Sequence, residues 1–337
     1  MDNSKKSNIY SIIFIILFIF LFLFQGLYKN VSFDDSFAGN FHFRTKLISL
    51  AMNFKFLAIR DNFFNNMYTK DHIWLNYTGE NSLDDFQNVS PLSDKQVETI
   101  HFKLTNIKNS LEERGIKFYV VIPPNKNTIY PDDFDSIAPK KFLLSRLDQL
   151  VDLESTYNGI NVIDLREDLL NAKTRELVYN STDTHWNDYG SWVGYRRLIG
   201  VISHDFPKLK PNPIEDYSIK NEKFYGGLAQ LSGNIKIEET TKSFTLINPK
   251  KVRHESGTAE GNIRMITSYV DDPELPTSLV FRDSFYSSLY SHMSQHFSKH
   301  VCLWTGVFDY SKIDELQPDI VILEVTERYI SRLLRLP

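Results

Sequence analysis

Apolar residues follow two alternating patterns along most of this chain. Behind the capping box Ser93-Asp94-Lys95-Gln96, the positions Val97, Ile100, Leu104, Ile107 and Leu111 recur three or four residues apart. That spacing predicts one apolar face of a helix, which Gly115 ends. The stretch 116–122 is then apolar with few breaks, the signature of a strand buried on both sides. The alternation continues with a helix over 138–157, a buried strand over 159–165, a short strand over 176–179 and a helix over 188–202. It breaks over about 208–276, where charges, Gly, Pro and short alternating pieces such as 243–247 predict an insertion of hairpins and loops over the site. It resumes with a strand over 277–281, a helix over 287–298, a strand over 300–304, a helix-prone piece over 312–316, a strand over 319–325 and a final helix from Thr326. Upstream, 73–77 reads as a strand closed by a turn at Thr78-Gly79-Glu80. Strand and helix in regular alternation predict an α/β fold, a parallel sheet with helices on both faces.

The amino-terminal pattern is different. Ile9 to Leu27 is almost wholly apolar and carries no charge. About 19 residues at a helical rise span roughly 28 Å, the thickness of a bilayer core. Lys5 and Lys6 precede the segment, Lys29 follows it, and no small-x-small cleavage site comes after. This predicts an uncleaved transmembrane anchor over 1–29, with the body outside the cytoplasm. A cleaved signal peptide is the alternative, though its apolar core is normally shorter. A connector is expected over 30–70, in which 41–57 mixes apolar with basic residues and is expected to pack on the domain. A single domain follows over 71–337. A net charge of −4 gives no basic excess for nucleic acid. The lone Cys302, in an apolar run, excludes an internal disulfide and reads as buried filler.

Two stretches carry chemistry. Phe281-Arg282-Asp283-Ser284-Phe285 places a hydroxyl between a predicted strand and a predicted helix. Open α/β sheets put their sites at such carboxyl ends, and a helix amino terminus favours a developing oxyanion. Asp183-Thr184-His185-Trp186 offers a carboxylate and an imidazole two positions apart. A serine nucleophile needs a base, and the base needs a group to hold its tautomer, so Ser284, His185 and Asp183 can supply the three roles if the fold unites them. Alone, each motif has a plain structural reading, as a helix cap or a hydrogen-bonded histidine. His292, His296 and His300 recur at spacing four, but the glutamate of a zinc motif is missing, and no metal site is expected. Neither a phosphate loop nor a dinucleotide fingerprint occurs, so no cofactor is expected.

Six segments occur in an order that resembles a known family. They are W-L-x-Y-x-G-E from Trp74 to Glu80, P-P-N-K-x-x-x-Y-P from Pro123 to Pro131, Y-x-x-x-D-T-H-W from Tyr179 to Trp186, R-D-S-F from Arg282 to Phe285, P-D-I-V-I-L-E from Pro318 to Glu324, and E-R-Y from Glu327 to Tyr329. The chain is similar over about 70–330 to the AlgX/AlgJ group of SGNH-hydrolase-like polysaccharide O-acetyltransferases. The resemblance implies a three-layer α/β/α domain and a triad of Ser284 as nucleophile, His185 as base and Asp183 as orienting carboxylate, with the D-x-H motif before the serine. It implies a polysaccharide acceptor and, since acetyl-CoA is cytoplasmic, a membrane-bound O-acyltransferase partner that hands acetyl across the membrane. Ordinary SGNH enzymes have Gly before Asp-Ser, and Arg282 stands there instead, which suggests another oxyanion arrangement or a binding group. Gly226-Gly227-Leu228-Ala229 resembles a G-x-L-A segment of the family, with its role open. Lys126, Arg282, Arg328 and Tyr329 are expected on the rim of the site, and Trp186 is expected to stack on a sugar. An esterase with the same triad and a non-catalytic glycan-assembly protein are the two other readings.

Overall fold

The computed structural model describes residues 63–64, 67–69, 74–133, 138–157, 160, 162–231 and 237–337, all within the compact unit Met52–Pro337. The apolar segment Ile9 to Leu27 and the basic stretch over 41–57 lie outside the described residues. No helix among the described residues is long and apolar enough to cross a membrane.

Twelve strands are described: β1 Phe63–Phe64, β2 Met67–Thr69, β3 Leu75–Tyr77, β4 Lys117–Ile122, β5 Val162–Asp164, β6 Tyr217–Phe224, β7 Glu239–Leu246, β8 Val252–Ala259, β9 Ile263–Val270, β10 Thr277–Arg282, β11 Lys299–Trp304 and β12 Ile320–Glu324. The α-helices that position the site are α1 Ser82–Phe86, α2 Asp94–Glu112, α3 Lys126–Ile129, α4 Arg146–Tyr157, α5 Arg166–Ala172, α6 Asp188–Asp205, α7 Gly227–Leu231, α8 Tyr286–Met293 and α9 Tyr310–Leu316. The central sheet has seven strands in the order β5-β4-β12-β10-β11-β9-β8. The first five run parallel, while β9 and β8 continue the sheet antiparallel.

Strand alternation sorts the apolar side chains into two layers. From β4, Tyr119 and Val121 face a core shared with Val280, Ile322, Cys302 and the helices α5, α6 and α8. Phe118, Val120 and Ile122 face the opposite core, with Leu279, Phe281, Val321 and the helices α2, α4 and α9. The result is a three-layer α/β/α domain. Ser93 caps α2 through a reciprocal box with Gln96, as its sequence predicts.

Five elements differ from the pattern. Helix α4 starts at Arg146 instead of 138, because Ser145 and Asp148 exchange cap hydrogen bonds there. The expected strand over 176–179 is a single bridge between Tyr179 and Trp186. Helix α8 ends at Met293, and the carboxyl-terminal piece Glu327–Arg335 winds as a 3₁₀-helix. Within 208–276, only β6–β7 and α7 stand apart as an insertion, whereas the hairpin β8–β9 belongs to the central sheet. In addition, β1 pairs with β2 and β2 with β3, so Phe63–Phe64 and Met67–Thr69 join a small antiparallel sheet.

Candidate active site

Three loops meet at the carboxyl ends of the parallel strands. After β10 the chain turns through Asp283 and Ser284 into α8. Phe285 is the residue before that helix, and its N–H donates to Asp283 Oδ1 at 2.9 Å. The other oxygen of Asp283 accepts from the N–H of Thr326, just past β12, at 2.9 Å. The Asp283 N–H donates to Glu324 Oε2 at 2.6 Å. The turn that carries Ser284 is thereby fixed to the neighbouring strand.

The loop over 180–187 approaches from the other side. His185 Nε2 lies 2.9 Å from Ser284 Oγ, and His185 Nδ1 lies 2.6 Å from Asp183 Oδ1. The same Asp183 oxygen accepts the His185 backbone N–H at 3.0 Å, and its other oxygen accepts the Gly227 N–H at 2.6 Å. Burial raises the Asp183 pKa, but these hydrogen bonds and the His185 charge outweigh it and hold the carboxyl at about 2. Asp183 is therefore ionised across the neutral range. Its stabilising contribution is complete above its unfolded value near 3.8 and is lost as pH falls through 2.

This loop is clamped on three sides. Glu239 accepts from the N–H and hydroxyl of both Ser181 and Thr182, at 2.6–2.8 Å. Gly226 backs directly onto Thr182, and a Cβ there would lie 2.2 Å from the Thr182 carbonyl oxygen. The open role of Gly226-Gly227 is thus the support of Thr182 and Asp183. Gly226→Ala is expected to displace the loop and lower the melting temperature by several degrees, measured by thermal unfolding. An unchanged transition would show that the loop yields freely.

The third clamp is Lys126, and it corrects an expectation. Lys126 is 4% exposed. Its ammonium donates to the carbonyls of Leu75, Asn180, Ser181 and Asp183 at 2.7–3.1 Å and lies 4.1 Å from the Trp74 ring centroid. It ties loops together beneath the surface and is no rim residue. Trp186 is likewise in the core, 1% exposed, with its indole N–H donating to the Phe285 carbonyl at 3.2 Å. It couples the histidine loop to the serine turn and has no face free for a sugar. Arg282 is also buried, with its guanidinium 4.4 Å from the Trp304 ring centroid. It donates to the Asp283 carbonyl and to Ser287 Oγ and braces the turn from below.

Tyr329 and Arg328, the latter only 5% exposed, border the same cavity as the triad. This cavity of about 440 Å³ is bounded by Ser284, His185, Asp183, Tyr77, Trp304, Leu231, Arg328 and Tyr329, among others. Arg328 donates to Asn125 Oδ1 at 3.2 Å and lies 3.6 Å from Glu80, which also accepts the Tyr329 hydroxyl. Its partners are not the neighbouring glutamates Glu324 and Glu327. Glu239, Glu324, Glu80 and Trp304 escaped functional reading from sequence. Glu80 and Glu324 stand in the quoted motifs, and that was the available signal.

The three histidines at spacing four serve packing. His292 pairs with Tyr217, His296 with Tyr195 and His300 with Ser278. Burial holds them neutral, with pKa values of about 4, 4 and 3. No His, Cys, Asp and Glu cluster that could hold a metal occurs among the described residues. Cys302 is buried.

Comparison with known proteins adds the family. Probable alginate O-acetylase AlgJ of Pseudomonas syringae pv. tomato is 28% identical over 126 residues, 37% of this chain and 32% of that protein. The protein of the same name from Pseudomonas aeruginosa is 29% identical over 110 residues, 33% and 28% of the two chains. The matched stretches thus span about a third of these relatives or less. Bacillus cereus PatB1 has the same fold, with a TM-score of 0.58 at 17% identity over 78% of this chain and 96% of that one. Pseudomonas aeruginosa AlgX aligns with a TM-score of 0.50 at 15% identity, over 80% and 63%. A model of the SGNH hydrolase-like domain of the acetyltransferase AlgX matches residues 72–280, and the chain belongs to that family.

Proposed function

We propose that this protein is an O-acetyltransferase that carries acetyl on Ser284 and delivers it to a hydroxyl of an exopolysaccharide or cell-envelope glycan. The observation that carries this reading is the line from Asp183 through His185 to Ser284, at 2.6 and 2.9 Å, opening on one cavity. His185 takes the Oγ proton as Ser284 attacks the acetyl carbonyl, then returns it to the departing donor group. In the second half, His185 takes the proton of a sugar hydroxyl, which attacks the acetyl-serine, and returns that proton to the departing Oγ. The backbone N–H of Ser284, with its neighbours, serves as donor for the oxyanion in this reading, while the Gly227 N–H is committed to Asp183. Losing one such donor typically costs on the order of 10²–10³ in rate. Arg328 and Tyr329 contact the acceptor at the mouth.

The matched relatives named as alginate O-acetylases support polysaccharide as acceptor. The apolar segment Ile9 to Leu27 supports a membrane anchor with the body outside the cytoplasm, beside a membrane-bound O-acyltransferase that supplies acetyl.

The test follows p-nitrophenyl acetate turnover by the full chain, with and without a panel of oligosaccharides. Acetylated sugar is measured by mass spectrometry. Transfer to sugar that falls by about 10³-fold or more in Ser284→Ala is expected. Hydrolysis unaffected by any sugar would favour the esterase reading, and equal activity in Ser284→Ala would overturn both.

A further inference from the structure

The segment before α4 presents an unusual surface. Lys140, Lys141, Phe142, Leu143 and Leu144 are consecutive and all exposed. The three apolar side chains are 53%, 98% and 53% exposed. Nothing in the described fold covers them, although the backbone is firmly held. The Lys141 N–H donates to the Gln87 carbonyl at 2.8 Å, and Asn88 Nδ2 donates to the Phe142 carbonyl at 2.9 Å. Just beyond, Ser145 and Asp148 cap α4. The apolar tip is therefore displayed by a braced turn.

Its place in the fold gives the tip a direction. Arg146, the first residue of α4, pairs with Asp85 at 2.9 Å. Asp85 accepts from Asn125 Nδ2 at 2.8 Å, and Asn125 accepts from Arg328 at the mouth of the cavity. The tip thus lies on the same end of the sheet as Ser284. The opposite end is marked by Lys117, the first residue of β4, which pairs with Asp205 at the end of α6.

We propose that 140–144 is a membrane-contacting tip that seats in the lipid bilayer and turns the mouth of the site toward it. Three adjacent large apolar side chains match the shallow, roughly 5–10 Å immersion of interfacial segments. The two lysines beside them match anionic headgroups, which attract basic side chains held near such a surface. The chemistry therefore selects an anionic lipid surface. The donor in the proposed reaction is itself a membrane protein, so a tip of this kind shortens the path from donor to Ser284. In that respect alone the inference rests on the proposed function.

The test labels Leu143→Cys in the full chain with an environment-sensitive fluorophore. Cys302 is buried, and burial raises its thiol pKa, so it does not compete for label. Lys210→Cys is the control; Lys210 is exposed and lines a cavity with Leu275, just before the amino end of β10. The chain is mixed with vesicles of phosphatidylethanolamine and phosphatidylglycerol that carry nitroxide on the acyl chains, and binding is confirmed by flotation. The label at 143 is expected to lose about half its emission or more to the nitroxide and to become shielded from iodide. The label at 210 stays unquenched. A floating protein whose label at 143 stays open to iodide would overturn the proposal, as would failure to float. Shielding that needs native membranes and comes without nitroxide quenching would assign the tip to a protein partner, and would also overturn it. Ester turnover by the labelled protein stands apart from all these outcomes, so failure of the tip is distinct from failure of the Ser284 reading.

Discussion

Replacing Lys126 with methionine destabilises the protein by on the order of 3–5 kcal/mol and removes activity with it. The methionine keeps most of the stem volume but supplies no donor. The carbonyls of Leu75, Asn180, Ser181 and Asp183 then lose the ammonium they share. The Ser181 carbonyl keeps the Leu75 N–H as a donor; each acceptor left bare costs roughly 1–3 kcal/mol, and relief of the lysine's own desolvation offsets part of the sum. For a body of this size the melting temperature should fall by about 10 °C. The damage concentrates on the loop that carries Asp183 and His185, so ester turnover should drop well below the fraction that remains folded. Thermal unfolding beside turnover at low temperature checks both parts. A variant with full stability would mean that the four carbonyls find water readily and that Lys126 does not organise the loop.

The second large effect is on the chemistry. Asp183→Asn is expected to leave the fold nearly intact and to slow acetylation of Ser284 by about 10³–10⁴-fold. The amide can accept from the His185 backbone N–H, but it carries no charge to favour a protonated His185. It can also present its NH₂ to His185 Nδ1, which turns the ring to the tautomer with Nε2 protonated and unable to take the Oγ proton. Because Asp183 titrates at about 2, the wild-type rate should show no step from this carboxyl between pH 4 and 8. Burst kinetics with p-nitrophenyl acetate measures the acetylation step directly. A loss of tenfold or less would show that Asp183 only packs the loop.

Much of the fold was legible because its signals are local. The Ser93 box with its three-four apolar spacing marks α2, and unbroken apolar runs mark β4, β10 and β12. Helix α4 misled because Phe142-Leu143-Leu144 reads as the apolar face of a helix, whereas those side chains face outward and the cap lies at Ser145. The hairpin β8–β9 was hidden for a different reason. Strand β8 is an edge strand with Arg253, His254 and Glu255 exposed, and its membership of the sheet is set by long-range register with β9. At the site, the pattern pointed to Asp183, His185 and Ser284, and the fold joins them. It could not give the direction of Lys126, Trp186 or Arg282, since a long or aromatic side chain beside a motif can turn inward or outward. All three turn inward, and Trp304, from the end of β11, takes the exposed aromatic place at the cavity.

The proposed reaction turns on Ser284 carrying the acetyl group. The most direct measurement incubates the full chain with p-nitrophenyl acetate, quenches it in acid and maps acetylated peptides by mass spectrometry. One hydroxylamine-labile acetyl is expected on the peptide that contains Ser284, absent in Ser284→Ala and depleted when an acceptor glycan is added. Acetyl found only on lysines, or present equally in Ser284→Ala, would contradict it.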